Sequence, residues 1–88
     1  MNQRDSVIAR IEQLLRHSLH LGPFVADTDL LEGGMIDSAG FMELFVLLEN
    51  EFSIRIEGAD LVLEHFRSAS RMADFVMEKH ASPGPAGE

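Results

Sequence analysis

Apolar residues return at helical spacing in three separate stretches of this chain, and that period limits its fold more than any other feature. The first stretch, from about Asp5 to Leu19, sets Val7, Ile8, Ile11, Leu14, Leu15 and Leu19 on one stripe. Arg10, Glu12, Gln13, Arg16 and His17 fall mostly on the other side. It should end near Leu21-Gly22-Pro23, where glycine suits a C-terminal cap and proline cannot continue a helix. A second helix is expected from Asp37-Ser38 to about Glu51. A last one, capped by Ser68 or Ser70, carries Met72, Ala73, Phe75, Val76 and His80. Between these two, Ile54-Arg55-Ile56 alternates as a strand would, but a lone strand has nothing to pair with, so an extended linker is expected. Ala59 to Glu64 reads as a short helix, with Leu61, Leu63 and Phe66 as core candidates. The fold class is all-α.

A chain of 88 residues holds one small domain, here residues 1–80, with a Pro/Gly-rich flexible tail over residues 81–88. It has no cysteine, which excludes a disulfide framework, a thiolate zinc site and a cysteine nucleophile. A cytoplasmic location is the expectation, because no apolar run approaches the ~20 residues of a membrane span and Met1–Asp5 lacks the layout of a secretory signal. The net charge of -8 is concentrated: nine acids between Asp27 and Asp60 face Arg55 alone. Phosphate backbones need a basic footprint, so nucleic acid is not an expected partner. A basic protein surface is.

The second helix carries more apolar surface than one core face can use. At about 100° per residue, Phe41, Leu44, Phe45, Leu48 and Phe52 fall on one side. Ala39, Met42 and Val46 form a second stripe almost opposite, flanked by Glu43 and Glu49. So short a chain has too little material to cover both, which assigns the second stripe to a partner. The connection from Pro23 to Ile36 is long and apolar, with Phe24, Val25, Leu30, Leu31, Met35 and Ile36, and should lie down on the core.

Catalytic and metal-binding patterns are missing from the sequence. His17 and His20 are three apart, but His65 and His80 offer no matching spacing and no carboxylate completes a motif, so no metal site is expected. Glu49 and Glu51 lie on different helix faces and lack an apolar pocket in which one could stay protonated. There is no nucleophile elbow around Ser38, no supported Ser–His–Asp spacing and no glycine-rich phosphate loop. An enzyme is not expected. Ser38 nevertheless stands where a Gly-rich connection meets a helix, beside unpaired backbone N–H groups and the positive end of the helix dipole. A phosphodiester would be well placed there. Taken alone, the same dipeptide is far more often an ordinary helix cap.

The run Leu30-Leu31-Glu32-Gly33-Gly34-Met35-Ile36-Asp37-Ser38 is followed by Glu43-Leu44 and by Leu48-Glu49-Asn50-Glu51-Phe52-Ser53-Ile54. Together they resemble the central signature of acyl carrier proteins. Phe66 to Val76 is similar to that family's last helix, and the similarity spans roughly residues 6–78. The resemblance implies a small four-helix bundle with three main helices and a short third one. It also implies that a carrier-protein synthase transfers 4'-phosphopantetheine from coenzyme A to Ser38. The arm's thiol would then hold an acyl or aminoacyl group as a thioester.

Carriers of fatty acid synthesis typically follow the serine with Leu and an acid, where this chain has Ala39 and Gly40. The pattern Glu-x-Gly-apolar-apolar-Asp-Ser-x-Gly looks more like D-alanyl carriers and free-standing carriers of specialised pathways. A monomer is then expected, visited by the synthase, by a loading ligase or acyltransferase, and by downstream acyl-transfer enzymes. Asp37, Ala39, Met42, Glu43, Val46 and Glu49 would form the partner face beside Ser38. The alternative is a helical protein–protein adaptor without a prosthetic arm.

Overall fold

The computed structural model describes residues 2–81. Among the described residues there are three α-helices, α1 (Gln3–His17), α2 (Ser38–Phe52) and α3 (Ala69–Ala81), and no strand. The described residues are all-helical in class, as the periodicity predicts, and Ile54–Ile56 is an extended linker. Helix α1, however, stops at His17 with Ser18 as its C-cap, short of the end expected near Leu21-Gly22-Pro23. Of the tail expected over 81–88, Ala81 belongs to α3 and the remainder lies outside the described residues.

Each helix begins where a small polar side chain takes up a free first-turn N–H. Asn2 accepts from the N–H of Asp5 at 2.8 Å, Asp37 from that of Gly40 at 2.8 Å, and Ser68 from that of Arg71 at 3.2 Å. Of the two caps considered for α3, Ser68 serves. The apolar stripes then meet in one core. Ile11 and Leu15 of α1, Leu44 and Leu48 of α2, and Met72 and Ala73 of α3 are wholly enclosed.

Charged groups lock the helices at their edges. The Arg4 Nε donates to Asp74 at 2.8 Å, tying α1 to α3. Arg10 reaches both the carboxylate and the backbone oxygen of Glu51, and its guanidinium lies 4.6 Å from the centre of the Phe52 ring. That clamp holds the end of α2 against α1.

The connection between α1 and α2 lies on the core as expected. Phe24, Leu30 and Ile36 are buried, while Val25 points outward. Its backbone is sewn to the start of α3: the N–H of Ser70 donates to Ala26 O at 2.9 Å, and that of Leu30 to Arg67 O at 2.8 Å. The Arg67 side chain reinforces the seam with Asp29 at 2.9 Å and Glu64 at 2.7 Å. The N–H of Glu32 and the Arg67 guanidinium together hold the Asp29 carboxyl below its ordinary range, against a smaller opposing effect of partial burial. Gly34, at φ +72°, makes the left-handed turn that returns the chain toward α2.

The short helix expected over Ala59–Glu64 does not form. Two separate 3-10 turns, Gly58–Asp60 and Leu63–Phe66, stand in its place. They are split at Val62, a β-branched residue in extended conformation (φ −111°, ψ 123°). The first turn is closed by Asp60, which accepts from the Glu57 N–H at 2.9 Å and from Lys79 Nζ at 2.8 Å. Burial pushes the Asp60 carboxyl up, but those two donors outweigh it and leave it below the usual carboxylate range.

Two of the core residues expected in this segment are misplaced as well. Leu61 and Leu63 are exposed, together with Val62. Phe66 alone is buried, against Phe45 (5.1 Å between ring centres), Phe75 (5.3 Å) and Phe41 (6.5 Å). Once this ring anchors the second turn, a segment broken at Val62 cannot also turn Leu61 and Leu63 inward. The histidines find structural contacts nearby: His65 stacks on Phe75 at 4.9 Å, and His80 Nε2 lies 2.7 Å from Phe52 O.

Candidate functional site at the start of helix α2

Ser38 is the first residue of α2, and it does not cap the helix. That task falls to Asp37, whose backbone is extended and whose carboxylate takes up the Gly40 N–H. The cap reading of the Asp-Ser pair therefore belongs to its first member. The Ser38 side chain is left exposed, and its hydroxyl makes no hydrogen bond among the described residues. A free hydroxyl thus stands at the positive end of a helix 15 residues long.

The glycine two residues on has a physical reason. A Cβ at Gly40 would lie 3.3 Å from both Asp37 Oδ1 and Ile36 Cγ2, tighter than ordinary contact. Without one, the loop packs closely on the first turn, so Ile36 is buried while Asp37 reaches the Gly40 N–H. The loop and the helix start form one rigid corner, and Ser38 sits on it.

The two stripes of α2 separate as their spacing predicts. Leu44, Leu48 and Phe52 are buried and Phe41 and Phe45 half-buried, whereas Met42 is 66% and Val46 54% exposed. Ala39 and Glu43 are exposed beside them. Asp37, Ser38, Ala39, Met42, Glu43 and Val46 therefore share one open surface. Glu49 differs from Glu43: it is half-buried, and its Oε2 accepts from the Ile56 N–H at 2.7 Å, pinning the linker that follows α2. Nothing in the sequence marked that bond, because a side chain reaching seven residues onward past a helix end leaves no periodic trace.

Most of the basic side chains are engaged away from Ser38, the exception being Arg55, exposed on the linker after α2. Arg4, Arg10, Arg67, Arg71 and Lys79 are all committed to ion pairs. Arg16 lies over the Phe24 ring at 4.9 Å. Glu32 and Glu43, on either side of Ser38 in the sequence, have no ion-pair partner among the described residues. No helix among the described residues is long and apolar enough to cross a membrane.

The sequence profile of the family described as the phosphopantetheine attachment site matches residues 7–76, from the first core residue of α1 to the last of α3. Among curated relatives, the D-alanyl carrier protein of Streptococcus sanguinis (strain SK36) is 32% identical over 78 residues, covering 89% of this chain and 95% of its own. Those of Streptococcus gordonii (strain Challis) and Streptococcus thermophilus (strain LMD-9) are 31% and 30% identical over the same shares. With a family match over most of its length, this chain belongs to the phosphopantetheine-attachment family and is a carrier protein whose cofactor is covalently bound 4'-phosphopantetheine.

Proposed function

We propose that Ser38 is the attachment residue and that the chain carries an aminoacyl or comparably small acyl group. The observation that carries this reading is the division of labour at the α2 start. Asp37 caps the helix, so the Ser38 hydroxyl is exposed, unpartnered and free to be modified at no cost to the fold. The residues present suit the group. A phosphodiester on Ser38 would stand at the helix N-terminus, where the dipole favours negative charge by about 0.3–1 kcal/mol, without needing a basic side chain. When bound, the arm supplies the thiol that holds the cargo as a thioester.

The chain's own part is to hold that root rigidly and offer a surface to visiting enzymes; it performs no catalysis itself. Ala39, Met42 and Val46 provide apolar contact that adapts to several partners, since methionine fits differing surfaces. Asp37, Glu43 and the free oxygen of Glu49 steer basic enzymes toward it. Those enzymes are a carrier-protein synthase, a loading ligase or acyltransferase, and the acyl-transfer enzymes that consume the product, all meeting a monomer in the cytoplasm. The two 3-10 turns occupy the place of the short third helix in the four-helix carrier bundle. The relatives named D-alanyl carrier proteins favour an amino acid as cargo, in a specialised pathway rather than in bulk fatty acid synthesis.

Thiol titration tests the reading simply, because the chain has no cysteine. The protein should contain no thiol as synthesised and one after incubation with coenzyme A and a carrier-protein synthase. A chain that gains no thiol under conditions that modify a control carrier is an adaptor, and the reading fails.

A further inference from the structure

Beside Ser38 an open groove of about 310 Å³ runs between the end of the α1 connection and the start of α2. Asp37 and Ala39, the neighbours of Ser38 on both sides, contribute to its wall, and so do Gly34, Met35 and Ile36 from the turn before it. Leu19 and Leu21 form the far side, and Glu43 stands one helical turn on. Leu19, Leu21 and Met35 are only half-buried, so each offers apolar surface that the fold leaves uncovered. A larger groove of about 430 Å³ lies between Arg10 and Glu51, but those charges already satisfy one another.

We propose that the groove beside Ser38 is the resting seat of the prosthetic arm's first half, the pantoyl segment next to the phosphate. This rests on Ser38 being the attachment residue. Three features of the groove fit that occupant. Its volume lies at the lower limit for small-molecule sites, which accommodates a short branched segment. The geminal methyl groups of the segment match Leu19, Leu21 and Met35, while its hydroxyl and amide N–H have an acceptor in the Glu43 carboxylate. Attachment at the rim makes entry intramolecular, so even weak complementarity suffices to populate the bound form.

Gly40 shapes this seat. Its missing side chain lets Ile36 and Asp37 approach α2, which sets the groove floor. The seat lies on the Ala39–Glu43 side of Ser38. On the other side Phe41 and Phe45 of α2 pack against Phe66 of the second 3-10 turn. A carrier that parks its arm on the first side leaves Met42 and Val46 clear for partners. The loaded end then stays outside, in solvent, where an enzyme can take it.

The test is solution NMR of the protein modified at Ser38, its loading first established by mass. Nuclear Overhauser contacts are expected from the arm's geminal methyls to the methyls of Leu21 and Met35, with amide shifts at Gly34, Met35, Gly40 and Glu43. Glu43→Ala, incubated until loading is complete by mass because the same carboxylate also steers the synthase, should remove most of the shift at Gly34 and Met35. Contacts to Met42 or Leu63 instead, or an arm with no contacts at all, would overturn the seat. A protein that gains no mass refutes the attachment itself, a separate result.

Discussion

Helix α2 offers the sharpest quantitative contrast between surface and core, at positions six residues apart. Met42 is 66% exposed, and Leu48 is wholly enclosed. Surface substitutions away from special features change stability by less than about 0.5 kcal/mol, so Met42→Glu should leave folding almost untouched. Leu48→Ala removes a buried side chain from a thin core and should cost about 2–5 kcal/mol. That is a large share of the roughly 4–13 kcal/mol expected for a domain of this length. With a urea slope of about 1–2 kcal/mol/M, the core variant's midpoint should fall by at least about 1 M, whereas the surface variant's should stay in place. Met42→Glu should instead lower the kcat/KM of the synthase or loading enzyme, because it puts a charge into an apolar contact. If Met42→Glu lowers the urea midpoint as far as Leu48→Ala does, the stripe is core and the partner face has been misassigned.

Further outcomes follow from individual contacts. Asp37→Ala should cost about 1 kcal/mol and lower Tm by roughly 4–8 °C through loss of the cap, while Ser38→Ala leaves calorimetric Tm unchanged. The Asp29 and Asp60 carboxyls titrate below their ordinary range when folded, so their contribution is complete above about pH 4 and is lost as pH falls through the folded values. Denaturation curves taken from about pH 6 downward should show that loss, and Asp60→Asn should shrink it. Glu43→Lys should slow association with a basic partner enzyme and flatten its salt dependence, read by stopped-flow mixing at two ionic strengths.

What the sequence discloses here is what repeats along the chain. The stripes of α1, α2 and α3 are periodic, and α2 and α3 appear within about two residues of their expected bounds, whereas α1 stops at His17, short of the Gly22-Pro23 stop signal. The surplus stripe of Met42 and Val46 was legible for the same reason, being out of phase with Leu44 and Leu48. The segment between α2 and α3 was not. Leu61 and Leu63 look like core residues by composition, but their direction is set by three contacts far apart in sequence: Glu49 on Ile56, Lys79 on Asp60, and Phe66 among Phe41, Phe45 and Phe75. Tertiary anchors of that kind override local pattern. At the site itself, the Asp-Ser pair was visible, but which member caps the helix is a matter of backbone geometry. Only the extended conformation of Asp37 assigns the cap to it and releases the serine.

The central claim is the identity of the modified residue. Intact-protein mass spectrometry, followed by peptide mapping, should be run after incubation with coenzyme A and a carrier-protein synthase. The native chain should gain the mass of one phosphopantetheine, on the peptide that contains Ser38, and Ser38→Ala should gain nothing while remaining folded. A Ser38→Ala protein that still takes up the group, or a native chain modified on another peptide, would contradict the account.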